Sequence, residues 1–169
     1  FVPALLASAR LKAGAGDIEA AMNIIDGLLS KAPNSHEAWL LKGDLHRVQR
    51  KSPEAVAAFE KALEIRPALL NARGSLVSIH LREQKFDEAK KHVEAMEKQA
   101  PKSPLTLYMR GLYAFSTKDL AGARTAMEAL LRVQPKNARA LQLAGLVAFA
   151  AKSDVQAQEY LLKALQNMP

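Results

Sequence analysis

Five prolines stand 34 residues apart, at Pro33, Pro67, Pro101, Pro135 and Pro169, and five alanines keep the same step at Ala21, Ala55, Ala89, Ala123 and Ala157. An unbroken step of that length marks a helix-turn-helix unit that cannot bury its apolar face alone and must stack on its neighbours. The units run 2–35, 36–69, 70–103, 104–137 and 138–169, so each residue acquires a position within its unit, and Phe1 is the last residue of an earlier one. Function is then to be sought on the surface that stacking leaves open.

Position 8 is where the two helices of a unit cross closely and a small side chain is needed. It reads Ala9, Gly43, Val77, Gly111 and Gly145, so Val77 predicts a slightly wider crossing in the third unit. Position 20 faces the crossing from the second helix and is alanine throughout. Position 24 supplies the apolar knobs of a shared core: Ile25, Phe59, Val93, Met127 and Leu161.

Helix-end signals keep this phase. Ser103 before Pro104 reads as an N-cap with proline at the first helical position, and Ser52 before Pro53 repeats the pattern for a second helix. Asn34 with Glu37 three residues on reads as a capping box. The prolines at position 32 close each second helix by removing a donor and crowding the preceding turn.

The second unit carries Trp39 at position 4, Gly43 at 8, His46 at 11, Ala55 at 20, Phe59 at 24, Ala62 at 27 and Pro67 at 32. It resembles the tetratricopeptide repeat (TPR), W-x2-L-G-x2-Y…A-x3-F…A…P, and the resemblance covers the whole chain. It implies an all-α solenoid of ten helices in five antiparallel pairs, wound as a right-handed superhelix.

Composition constrains less. Cysteine is absent, which excludes disulfides, thiolate catalysis and cysteine-ligated metal but leaves the compartment open. No apolar run approaches the ~18 residues that span a bilayer, so no transmembrane segment is expected. The chain opens inside a repeat and stops at Pro169 without the polar capping helix that shields a solenoid's last face, which reads as a fragment of a longer array.

A formal net charge of +7 invites a nucleic-acid partner, but the placement of the charges argues against one. Asp87 precedes Lys91 by four residues and Glu94 precedes Lys98 likewise, the spacing of ion pairs on a solvated helix face. Arg50, Lys51, Lys118 and Lys152 fall in turns, and no basic run is interleaved with stacking aromatics.

Catalytic constellations are missing. His36, His46, His80 and His92 form no pair at i, i+4, and no H-E-x-x-H, phosphate loop or G-x-S-x-G occurs. Gly14 and Gly16 fall in the turn of the first unit. His46 and His80 share position 11 in adjacent units and read as replacements for a packing tyrosine, with a polar tip near solvent. The expectation is a protein with no enzymatic activity, no catalytic residues, no metal and no cofactor.

The TPR resemblance implies a concave groove lined by positions 2, 5, 9, 12 and 13 of the first helices. The first three units place there Arg10, Glu37, Asp44, Arg47 and Arg82 among Leu6, Leu40, Val48, Asn71, Ser78 and Leu81, a mixed and basic half. The last two place Leu105, Tyr108, Leu112, Phe115, Leu146 and Phe149 with Arg139 and Gln142, an apolar and aromatic half. Tyrosine, phenylalanine and leucine in a concavity supply most of the energy of peptide capture, and the arginines would orient an acidic flank. Chaperone-binding members of the family clamp a C-terminal carboxylate with Lys, Asn and Arg. The matching positions here read Leu6, Arg10, Leu41, Asn71 and Ser75, which make no such clamp.

The stretches Leu143–Phe149, Ser153 and Gln156–Leu161 are similar to the long bacterial TPR lipoproteins found with PEP-CTERM protein sorting and exopolysaccharide systems. That similarity implies an exported, lipid-anchored parent protein on the periplasmic side, acting as an assembly scaffold. The expected function is a scaffold that binds a peptide or protein segment in its groove. Self-association as a homo-oligomeric module of a larger array, or binding of an anionic polymer, polysaccharide or nucleic acid, stand as alternatives.

Overall fold

The computed structural model describes residues 1–167; Met168 and Pro169 lie outside the described residues, and with them the fifth proline of the series. Ten helices follow one another: α1 (Val2–Gly14), α2 (Ile18–Lys31), α3 (His36–Val48), α4 (Ser52–Ile65), α5 (Leu70–Arg82), α6 (Phe86–Gln99), α7 (Pro104–Ser116), α8 (Leu120–Val133), α9 (Ala138–Ala150) and α10 (Asp154–Gln166). Every odd-numbered helix begins on the first residue of a 34-residue unit, and no strand occurs among the described residues.

The turn within each unit is made the same way five times. The backbone N–H at position 16 reaches back five residues, as in Asp17 to Lys12, Lys51 to His46, Lys85 to His80, Asp119 to Ala114 and Ser153 to Ala148, at 2.8–2.9 Å. Such a closure requires a left-handed residue just before it. Position 15 supplies it: Gly16 at φ 83°, Arg50 at 60°, Gln84 at 58°, Lys118 at 65° and Lys152 at 58°. Three of the turn cations therefore occupy a backbone conformation that favours glycine.

Second helices end two residues before each described position-32 proline. Ala32, Arg66, Ala100 and Gln134 have left the helical region, with φ between −135° and −149° and ψ between 70° and 93°, because a following proline ring expels its predecessor from it. Each also donates its N–H to the carbonyl four residues back at 2.8–2.9 Å.

Three capping expectations change. The cap of α3 is Ser35, whose Oγ accepts from the Ala38 N–H at 3.3 Å, and Glu37 contacts Ser35 Oγ and His36 rather than closing a box on Asn34. Ser52 is the first helical residue of α4, with Lys51 as its cap. Ser103 does cap α7 ahead of Pro104, but its side chain makes no cap bond. The 34-residue register explains the first two, since first helices open at position 1 and second helices at position 17.

The chain forms two compact units, Phe1–Ile79 and His80–Pro169, with the division inside α5. In the first, Leu6, Ala9, Ala21, Ile25, Leu28 and Leu45 form one apolar cluster, and Ala55, Phe59, Ala72, Leu76 and Ile79 form another. In the second, Leu107, Ala123, Met127, Leu130, Leu143 and Val147 are the centre of a larger one. The position-20 residues Ala21, Ala55, Ala89, Ala123 and Ala157 are all buried. The reading of position 24 as a knob against a small residue at position 8 holds in the second, fourth and fifth repeats. A Cβ on Gly43 would lie 2.6 Å from the Phe59 ring and one on Gly145 would lie 2.7 Å from Leu161, while one on Gly111 would press on the tip of Met127.

Candidate functional site

Within the second compact unit, α7 and α9 are neighbouring first helices. Tyr108, Leu112 and Phe115 recur at i, i+4 and i+7, so they share one face of α7. All three are half-buried and packed on the cluster around Met127 and Val147, and Leu105 is half-buried one turn earlier. On α9, Leu146 and Phe149 are solvent-facing, 44% and 67% exposed, and Arg139 and Gln142 are exposed beside them in sequence. The six apolar residues thus belong to one unit, three anchored on its core, Leu105 half-buried, and two facing solvent.

The polar groups of this face are consumed locally. Ser116 Oγ donates to the Leu112 carbonyl at 2.8 Å and Thr117 Oγ1 donates to that of Tyr113 at 3.0 Å, bonds that helical hydroxyls make with the preceding turn. Neither α7 nor α9 carries a carboxylate. Their two charges are Arg110, whose Nη1 is 3.8 Å from Glu97 Oε1, and Arg139, which forms no ion pair among the described residues. The result is an apolar, aromatic surface with one available guanidinium.

The basic half is less coherent. Arg10 is exposed on α1, and Arg47 is exposed but already paired, Nη2 to Asp44 Oδ1 at 3.2 Å. Both lie in the first unit, whereas the exposed Arg82 falls in the second. Leu6 and Leu81, read from their positions as groove residues, are buried at 6% and 9% exposure, Leu6 within the first apolar cluster. Val48 is exposed.

Ion pairs on α6 follow other partners than expected. Lys91 binds Glu88 at 3.0 Å and Lys90 approaches Glu94 at 3.8 Å, so the pairing is shifted from Asp87–Lys91 and Glu94–Lys98. The histidines also differ from a uniform solvent-tipped set. His80 is buried and its ring stacks on His92, centroids 5.8 Å apart and nearly parallel. His36 Nε2 lies 3.0 Å from Arg66 Nη1, and since arginine only donates, this nitrogen is the acceptor and Nδ1–H faces Glu37 Oε2 at 3.0 Å. His46 is half-buried, and burial first, then the nearby Lys42, hold its pKa below the usual histidine value. Among the described residues no group of three His, Cys, Asp or Glu side chains is placed to hold a metal ion, and no helix is long and apolar enough to cross a membrane.

One feature of the surface had no counterpart in the groove reading. Val155 and Leu162 on α10 are 84% and 51% exposed. The signal that marks them is the 34-residue register itself, read along the exposed positions of the second helices.

Comparison with known proteins agrees with the helix-pair architecture. Residues 6–69 and 108–169 match one tetratricopeptide repeat family model, and residues 49–109 match a second. No curated protein sequence matches the chain. Among solved structures, MamA (residue 41 to the end) from Desulfovibrio magneticus RS-1 superposes with a TM-score of 0.78 at 19% identity, covering 98% of this chain and 93% of that one. PilW, described as a widely conserved type IV pilus biogenesis factor, gives 0.87 at 17% identity, covering 98% and 76%. YrrB, described as a TPR protein with an unusual peptide-binding site, gives 0.69 at 20% identity, covering 98% and 85%. At these identities the likeness concerns the fold, an all-α TPR solenoid. With family models matched along most of its length, the chain belongs to the tetratricopeptide repeat family.

Proposed function

We propose that the protein is a protein-interaction scaffold that captures a peptide or helical segment of a partner on the face formed by α7 and α9. The observation that carries this reading is the combination of half-buried Tyr108, Leu112 and Phe115 with exposed Leu146 and Phe149 on two neighbouring helices that lack any carboxylate. Anchored aromatics lose little conformational freedom on binding, and exposed apolar neighbours supply the area removed from water. Arg139 favours a segment with an acidic residue beside its apolar anchors. The peptide-binding site named for YrrB, on the same fold, is consistent with this use of the architecture.

The test is affinity capture of partners with the wild-type chain and with a Tyr108→Ala, Phe115→Ala, Phe149→Ala variant. Partners recovered by the wild type and lost by the variant, with helicity unchanged in circular dichroism, are expected. Equal recovery by both would sink the reading. A narrower assignment, to an exported and lipid-anchored scaffold in bacterial surface polysaccharide or PEP-CTERM protein sorting, is supported by the residues of Leu143–Phe149 and Gln156–Leu161 alone. The reading frame of the parent gene tests it, an export signal followed by a lipid-acceptor cysteine being the expected finding.

A further inference from the structure

The second helices present equivalent residues to solvent at positions 18 and 25 of each unit. Position 18 reads Glu19, Pro53, Asp87 and Ala121 in the first four units, and position 25 reads Asp26, Glu60, Glu94 and Glu128. All eight are exposed although another unit follows each of them, so stacking does not cover these positions. In the fifth unit they become Val155 and Leu162, seven residues apart and therefore on one face of α10. Four carboxylates in register are replaced by a leucine that is 51% exposed. The opposite face of α10 is already used: Ala157 and Ala164 are buried and Tyr160 packs on the core of its unit. Val155 and Leu162 thus form an apolar strip outside the face that the core uses.

We infer that a second copy of this chain covers the outer face of α10, through antiparallel pairing of the two α10 helices about a two-fold axis. The charges on the helix favour this occupant. Asp154 and Glu159 lie in its first half and Lys163 near its end, with Glu159 and Lys163 joined across one turn in a close ion pair, 2.6 Å. In an antiparallel pair the acidic half of each helix meets the basic end of the other, and the opposed helix dipoles reinforce the match. A parallel arrangement would set like charges side by side. The apolar stripe from Val155 to Leu162 is about 10 Å long, and in the antiparallel register Val155 of one copy meets Leu162 of the other, which sets Asp154 opposite Lys163. A stripe of this size gives a reversible dimer.

Sedimentation velocity on the intact chain, loaded from micromolar to near-millimolar concentration, tests the pairing. The wild type is expected to pass from monomer to dimer and to stop there. Leu162→Glu restores the acid that four units carry at this position, so the fold tolerates it, and it is expected to remain monomeric with unchanged helicity and melting temperature; Val155→Glu serves as the second variant. Glu159→Lys and Lys163→Glu, each weakened alone, are expected to form a dimer when mixed. A wild type that stays monomeric, a mass that grows beyond the dimer, undiminished dimer in Leu162→Glu, or dimer abolished by Phe149→Ala instead would each overturn the inference. The last outcome would place association on the α7/α9 face and leave the capture reading separately testable.

Discussion

The indole Nε1 of Trp39 donates a 2.8 Å hydrogen bond to the carbonyl oxygen of Pro33, tying the first turn of α3 to the proline that ends the preceding unit. The same tie recurs 34 residues later with a different donor, Arg73 Nη2 to the Pro67 carbonyl at 3.0 Å. Leu5, Leu107 and Leu141 occupy this position in the other units and have no group to donate. The bond is therefore an accessory to apolar packing at a junction that stands without it. Trp39→Phe keeps a ring and removes the donor, so a loss of about 1 kcal/mol is expected, read as a lower urea midpoint at unchanged slope. A loss several times larger would show that the junction depends on the bond itself.

Glycines of equal chemistry have opposite roles. At Gly43 an added methyl would meet the Phe59 ring, whereas at Gly27, exposed in the middle of α2, it would meet nothing within 4 Å. Gly43→Ala is expected to destabilise by about 1–3 kcal/mol through overpacking. Gly27→Ala is expected to stabilise by about 0.5–1 kcal/mol through helix propensity and reduced freedom of the unfolded chain. Thermal melts of the two variants shifting in the same direction would contradict this assignment.

Relief of backbone strain is measurable at the turns. Lys118 at φ 65° and Lys152 at φ 58° hold a left-handed conformation that disfavours any side chain with a Cβ. Lys118→Gly is expected to stabilise by about 0.5 kcal/mol, the strain relieved being partly offset by the added freedom of glycine when unfolded. Because the effect lies in the backbone, the gain should persist at high salt. A gain present only at low salt would trace it to charge repulsion instead.

Acid should weaken the fold through His46. Its pKa is lowered by burial and by Lys42 and Lys51, which outweigh the opposing pull of Glu54 and Asp26. As pH falls through about 6.5, the unfolded chain takes up this proton first. The contribution is therefore intact above the unfolded value and is lost progressively as pH drops toward the lower folded one. Urea midpoints of the wild type and His46→Phe at about pH 7.5 and 5.5 should show the smaller decline in the variant. Equal declines would remove His46 as a source of acid sensitivity.

The fold was legible in the sequence because a helix pair repeated at constant spacing leaves two independent marks, small residues at the crossing and breakers at the ends. Gly43 against Phe59 and the non-helical residues before Pro33, Pro67, Pro101 and Pro135 are those marks in three dimensions. The candidate face was legible in part. Tyr108, Leu112 and Phe115 have the spacing of one helical face, but periodicity alone could not distinguish Leu6, which is buried, from Phe149, which is exposed. His80 was beyond it for the same reason, as its neighbour His92 lies on the next helix. The cap of α3 escaped because Asn34 and Ser35 are both capping residues, so residue type does not choose between them, whereas the start of α3 at His36 does.

By itself the sequence determined the order and period of the helix pairs, how the first four second helices end, and which residues occupy equivalent positions in the five units. Backbone sterics and local hydrogen bonding act over a few residues, so spacing and residue type suffice for these. Only the tertiary structure decided which apolar side chains are core and which are surface, that position 15 is left-handed even when it holds Lys118 or Lys152, and that Leu162 stands in solvent where Glu128 stood before it. Exposure depends on what packs against a residue from elsewhere in the chain, and a periodic pattern gives the direction of a side chain without saying what it meets.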